Sequence, residues 1–195
     1  MQSRNLILAS SSSSRREQLQ RLGLRFKCHS PDIDESPLES ESPAELIRRL
    51  SIAKARAVAP HHPDSLIISG DQTAMVDGDF INKPGNRDLA VAQLYSLQGR
   101  ETEFLSGLCV QNSSSGDIAY QSVECHVRFR RLSLLQVENY VDTDKPFHCA
   151  GSFKCEAAGI GLFEYIRSDD PSAITGMPLI AAVSLLAEHG FELFT

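Results

Sequence analysis

An α/β fold on a mixed, twisted sheet flanked by helices is predicted by two observations. Short apolar runs alternate with helical patterns along all 195 residues, which layers helices against a sheet. Residues 103–110 and 118–129 lie either side of a polar turn at 112–117 and read as a hairpin, so the sheet is not wholly parallel. With 42% hydrophobic and 23% charged residues, the chain can bury a core and reads as a single domain over 1–195.

Each element follows from a local pattern. Residues 5–9 read as a buried strand, and 13–22 as a helix with apolar Leu19 and Leu22, stopped by Gly23. Phe26 and Cys28 mark a brief strand, and 30–42 form an acidic loop. Pro43 opens a helix that sets Leu46, Ile47, Leu50, Ala53 and Ala57 at helical spacing and ends near Pro60. Leu66-Ile67-Ile68 is a compact strand running into Ser69-Gly70-Asp71-Gln72, and Asp77-Gly78-Asp79 turns before Phe80-Ile81. Helices are expected over 88–97, 134–141 and 178–189, with an irregular, glycine-containing stretch over 147–163.

Charge and composition exclude several functions. The formal net charge of -6 disfavours a nucleic-acid partner. Only five of the nineteen basic residues are lysine, which leaves fourteen arginines whose forked guanidinium suits phosphate oxygens. The N-terminal apolar run is too short for an export signal, and residues 179–187 fall far short of the roughly 20 needed to span a bilayer. Five cysteines, an odd number without a C-x-x-C pair, fit a reduced protein. The expectation is a cytoplasmic chain with no membrane partner.

Three groups of residues carry chemistry. Ser10-Ser11-Ser12-Ser13-Ser14-Arg15-Arg16 follows a strand and opens a helix, where free amides, hydroxyls and guanidinium groups make an anion cradle. A solvated serine loop capped at Ser12 or Ser13 is the bland alternative, and no Walker A loop occurs. Asp32, Asp34 and Glu35 in the loop, with Asp71 at a strand end, offer the oxygen ligands that Mg²⁺ or Mn²⁺ prefers. Lys54, Lys83 and Lys154 are the basic candidates, although a snorkelling surface lysine is the commoner arrangement. Arg128, Arg130 and Arg131 read as charges guarding a sheet edge. The histidines show no metal-binding spacing, and the cysteines read as inert thiols.

Taken in order, the motifs are Leu8-Ala9-Ser10 with Arg15-Arg16, Asp34-Glu35, Lys54-Ala55, Asp71, Lys83-Pro84, Ala150-Gly151-Ser152-Phe153-Lys154 and Gly176-Met177-Pro178-Leu179. This set resembles the Maf family of nucleoside triphosphate pyrophosphatases over essentially the whole chain. Two departures stand out: Ser13 replaces the family's proline, and Ser14 replaces the arginine or aromatic residue that follows it. Gln72 and Glu156, where pyrimidine-acting relatives carry threonine and glutamine, look like the branch acting on 7-methyl-GTP. A carboxylate at Glu156 can accept from the guanine N1–H and amine and favours the positive charge that N7-methylation adds.

The resemblance implies hydrolysis between the α and β phosphates with a divalent metal, Mg²⁺ or Mn²⁺. It assigns Ser10, Arg15, Lys54 and Lys83 to the triphosphate, Ser14, Gln72 and Glu156 to base choice, and Glu35 and Asp71 to the metal, with Asp71 also the proton acceptor. It further implies two lobes around a cleft, as in inosine-triphosphate-pyrophosphatase-like folds, and a homodimer. The alternatives are a house-cleaning enzyme acting on dTTP, UTP or other modified nucleotides, and a non-catalytic nucleotide-binding regulator of cell division.

Overall fold

The computed structural model describes residues 4–194. Met1, Gln2 and Ser3, which begin the segment read for an export signal, lie outside the described residues. Seven strands form one sheet in the order β2-β1-β3-β5-β6-β7, with β4 on β3. The strands are β1 (Asn5–Ala9), β2 (Lys27–Cys28), β3 (Ser65–Val76), β4 (Asp79–Phe80), β5 (Glu101–Asn112), β6 (Ile118–Phe129) and β7 (Phe163–Arg167). The helices are α1 (Ser13–Gln20), α2 (Pro43–Val58), α3 (Arg87–Ser96), α4 (Leu134–Asp144) and α5 (Leu179–Glu188). β1 is parallel to β2 and β3, whereas β7 is antiparallel to β6, so the sheet is mixed as expected.

By packing, the chain divides into two compact units: Met1–Gln72 with Leu105–Val123 and Ser172–Thr195, and Thr73–Phe104 with Glu124–Pro171. In the first, β1 and β3 pair from Asn5↔Ser65 to Ala9↔Ser69. Both strands are apolar because both faces of this parallel ladder are covered, and Leu6, Ile7, Leu8, Leu66, Ile67 and Ile68 are all buried. α2 starts at a capping box in which Ser42 and Glu45 satisfy each other's backbone amides, with Pro43 in the first turn. Its Ala55 and Val58 pack on Ile7, Ile67 and Cys109. In the second unit, Phe104, Phe129, Phe153 and Phe163 meet edge to face with centroids 4.9–5.9 Å apart, the geometry the ring quadrupole favours.

Two glycines set how closely α2 rides on the sheet. A Cβ at Gly70 would lie 2.5 Å from the Gly107 carbonyl oxygen, and one at Gly107 would lie 2.9 Å from Ser51 Oγ on α2. The close approach lets Ser69 Oγ donate to the Ser51 carbonyl at 2.6 Å. Lys54 sits almost one helical turn further along and so faces the sheet.

One expectation is corrected by the topology. Arg128 does not guard an edge, because β6 pairs with β7; Arg128 lies opposite Tyr165 and its Nε is 3.2 Å from Glu164 on β7. A hairpin pattern shows a strand's neighbour on one side only, so the sequence did not reveal the partner that follows 33 residues of helix and loop (130–162). No helix among the described residues is long and apolar enough to cross a membrane.

Candidate active site

The serine turn between β1 and α1 is organised by its own hydroxyls. Ser10 Oγ accepts from the Ser12 amide at 3.1 Å, and Ser12 Oγ caps α1 by accepting from the Arg15 amide at 3.3 Å. Ser12 is therefore the N-cap, one of the two positions expected. Ser14 falls in the first turn of α1, and Arg15 follows on the half-buried side.

Asp71 was expected at the end of a strand, and it lies within one. β3 continues to Val76 along its other neighbour, β5, but the ladder with β1 ends at Ser69. Asp71 is thus two residues past the carboxyl end of the parallel pair, where active-site carboxylates gather in open α/β sheets.

Lys54 from α2 meets it there. Lys54 Nζ is 2.7 Å from Asp71 Oδ1 and 3.0 Å from Glu35 Oε1. The lysine side chain is 5% exposed and the aspartate 13%, whereas Glu35 is 54% exposed. A buried ammonium without a partner would be very costly, so the two carboxylates stabilise the charged lysine and it holds them together. Arg15 Nη2 stands 3.9 Å from Asp71 Oδ1, and Arg15 Nε donates to the Gly176 carbonyl at 2.8 Å. Burial lowers the Arg15 pKa from the ordinary arginine value, and Asp71 and Glu35 oppose that shift.

Gln72, next to Asp71, donates its amide nitrogen to Ser106 Oγ and to the Ala173 carbonyl, both at 3.0 Å. Ser106 Oγ also donates to Ala173 O at 2.8 Å. Gly176 has φ +77°, and a Cβ there would come within 3.3 Å of Gln72 Oε1 and 3.4 Å of Arg15 Nε. Only glycine suits both that backbone and that approach. Ser106 went unnoticed in the sequence; a hydroxyl in the apolar run Phe104-Leu105-Ser106-Gly107-Leu108 is the signal that could have found it.

The loop bearing Glu35 is tied down by Arg49. Its guanidinium grips Glu41 through Nε and Nη2 at 2.6 and 2.8 Å, and Nη2 also donates to the Ser36 carbonyl at 2.9 Å. An Asx-turn, with Ser36 N donating to Asp34 Oδ1 at 2.9 Å, fixes the next residue from the other side.

Lys83 and Glu156 belong to the second unit and both are exposed. The turn after Lys83 is held by the Gly85 amide donating to the Phe147 carbonyl at 2.8 Å. The loop bearing Glu156 is closed by Tyr140, whose hydroxyl accepts from the Lys154 amide at 2.9 Å, and by Asp144, which accepts from the Gly159 amide at 3.2 Å. Burial is the first cause raising the thiol of Cys149, with Glu156 adding to it and Lys83 acting against it. Burial likewise pushes Cys109 to about 11 and Cys125 to about 12. These thiols stay neutral near pH 7, in line with the inert role expected of them.

Glu35 and Asp71, the two residues expected to hold a metal, are brought together on the Lys54 ammonium. Among the described residues no group of three or more His, Cys, Asp and Glu side chains forms a ready metal cage. Chemically, the first unit offers a buried lysine, a guanidinium, two carboxyl groups and a serine-rich turn at a helix start.

The family profile described as Maf-like protein matches residues 5–189. The chain is 45% identical over 192 residues to a 7-methyl-GTP pyrophosphatase of Alcanivorax borkumensis, covering 98% of each chain. It is 48% identical over 190 residues to a protein of the same name from Bordetella parapertussis, covering 97% of this chain and 94% of that one. A third, from Vibrio parahaemolyticus, is 43% identical over 195 residues, covering 99% of this chain and 100% of that one.

Proposed function

This chain belongs to the Maf-like protein family, and on that premise we propose that it hydrolyses 7-methyl-GTP to 7-methyl-GMP and pyrophosphate. The observation that carries the reading is Lys54 Nζ held between Asp71 and Glu35 at 2.7 and 3.0 Å, with Arg15 alongside. Phosphoryl transfer needs positioned cations and an oriented nucleophile more than covalent help. The relatives' shared name supports the choice of base.

Lys54 and Arg15 neutralise triphosphate oxygens, and the amides and hydroxyls of the turn that starts at Ser10 receive further oxygens at the start of α1. Lys54 Nζ, 2.7 Å from Asp71 Oδ1, holds the carboxylate in place, and Asp71 takes the proton of the attacking water as the α–β anhydride bond breaks and pyrophosphate leaves. Lys83 adds a cation for the phosphates. Glu156 accepts from the guanine N1–H and amine and favours the methylated, cationic base. Ser14 and Gln72 complete the residues that choose the base; because the Gln72 amide nitrogen is already engaged, its carbonyl oxygen is the atom that can serve. Two carboxylates are the donor number Mg²⁺ or Mn²⁺ uses when substrate phosphates complete its shell, so Glu35 and Asp71 fit such an ion. When bound, that ion would neutralise charge developing on the phosphates.

The test is pyrophosphate release from 7-methyl-GTP, GTP, dTTP, UTP and CTP with Mg²⁺ or Mn²⁺, with Glu156→Gln beside the parent. A preference for 7-methyl-GTP that Glu156→Gln erodes is expected. Faster pyrimidine turnover would reassign the branch, and no turnover on any of the five would overturn the reaction.

A further inference from the structure

A second charged region lies at the opposite end of the same ladder. Where β1 and β3 begin, at Asn5↔Ser65, a cavity of about 640 Å³ is lined by Arg4, Arg25, Lys27, His61 and His62. Among the described residues its lining holds no carboxylate, in a chain whose formal charge is -6. Ile7 and Phe26 add apolar lining. Asp71 is six residues further along β3 than Ser65, roughly 20 Å at a strand's rise per residue, so the cavity is separate from the lysine–carboxylate cluster.

The histidines cluster beside these basic groups. His29 Nδ1 lies 2.8 Å from His62 Nε2, and the His29 ring centroid is 5.3 Å from that of His61. Burial is the first cause lowering the His62 pKa, and His29, His61 and Lys27 follow, the response expected in a field of one sign. Arg4 Nη1 donates to the His189 carbonyl at 3.1 Å, which steadies one guanidinium at the rim. A concave site with forked and point-charge donors beside apolar lining suits a compact anion. A nucleic-acid strand would call for an extended basic stripe.

We propose that this cavity is a second binding site, taking a small phosphate-bearing anion at the amino end of the β1–β3 ladder. The ligand's phosphate oxygens would meet Arg25 and Lys27, with the His61 and His62 rings beside them. The assignment rests on this cavity alone and stands whether or not the chain hydrolyses nucleotides.

The experiment is a titration of the protein with inorganic pyrophosphate, followed by the ¹⁵N resonances of the His61 and His62 rings, which line this cavity. Saturable shifts at His61 and His62 are expected. Arg25→Ser/Lys27→Ser, in which both replaced side chains are exposed, should weaken that response at least about tenfold. No shift in the parent protein, or an unchanged affinity in the double variant, would overturn the site. Shifts produced by a single-stranded oligonucleotide but not by pyrophosphate would overturn its assignment to a small anion.

Discussion

The two ends of the β1–β3 ladder carry opposite chemistry. Past the carboxyl end, buried Lys54 holds Asp71 and Glu35 with Arg15 nearby; at the amino end, arginine, lysine and histidine converge on a cavity lined by no carboxylate among the described residues. A cluster of mixed sign can hold a polyanion and also accept a proton from water, because it sets a carboxylate beside the cations. A cluster of one sign offers no carboxylate base, so it suits binding alone. The same pair of strands thus sets the proposed reacting centre and the proposed anion-holding centre roughly 20 Å apart.

The sharpest way to break this contrast is Lys54→Met. It strips the charge that pairs two carboxylates, and turnover is expected to fall by about 10²–10³-fold, while the histidine shifts caused by pyrophosphate persist. Loss of those shifts as well would show that the two ends are not independent. Next in size, Gly70→Ala forces a Cβ to 2.5 Å from the Gly107 carbonyl oxygen and should cost about 1–3 kcal/mol in denaturant unfolding. Gly161→Ala, where nothing lies within 4 Å, should stay within about 0.5 kcal/mol.

Arg49→Gln sharpens the account of the carboxyl end by removing the clamp on the Glu35 loop and leaving Lys54, Asp71 and Glu35 themselves unchanged. With the clamp on Ser36 and Glu41 gone, Glu35 is held less well, and kcat should drop about tenfold with little change in KM. The smallest effect is on acid stability. Hydrogen bonding to Arg49 is the first cause holding the Glu41 carboxyl at about 2, below its ordinary 4.5. A folded-state pKa below the unfolded value stabilises above about pH 4.5, and the gain is lost as pH falls towards about 2. Thermal midpoints measured across that window should fall less steeply for Glu41→Gln than for the parent.

How far the sequence carried differs between these same regions. Local signals were enough for the opening of α2 at Pro43 and for a cap at Ser12 or Ser13 in the serine turn, because caps and periodicity are written within a few residues; they placed Asp71 at a strand end, whereas β3 runs on to Val76. The meeting of Lys54, Asp71 and Glu35 was legible only through the family resemblance, since spacing along a chain does not make neighbours of a helix, a strand and a loop. Ser106 and the Ala173 carbonyl depend on pairing that no local pattern states. Likewise, His29 lies more than thirty residues before His61 and His62, so the basic end emerged only once β2 had paired with β1.

The most direct test of the central claim is pyrophosphate release from 7-methyl-GTP by Asp71→Asn beside the parent protein, with thermal unfolding of both. The expected result is a loss of turnover of about 10³-fold with the fold retained. Near-normal turnover by a folded Asp71→Asn protein would contradict the claim and remove Asp71 from the reaction.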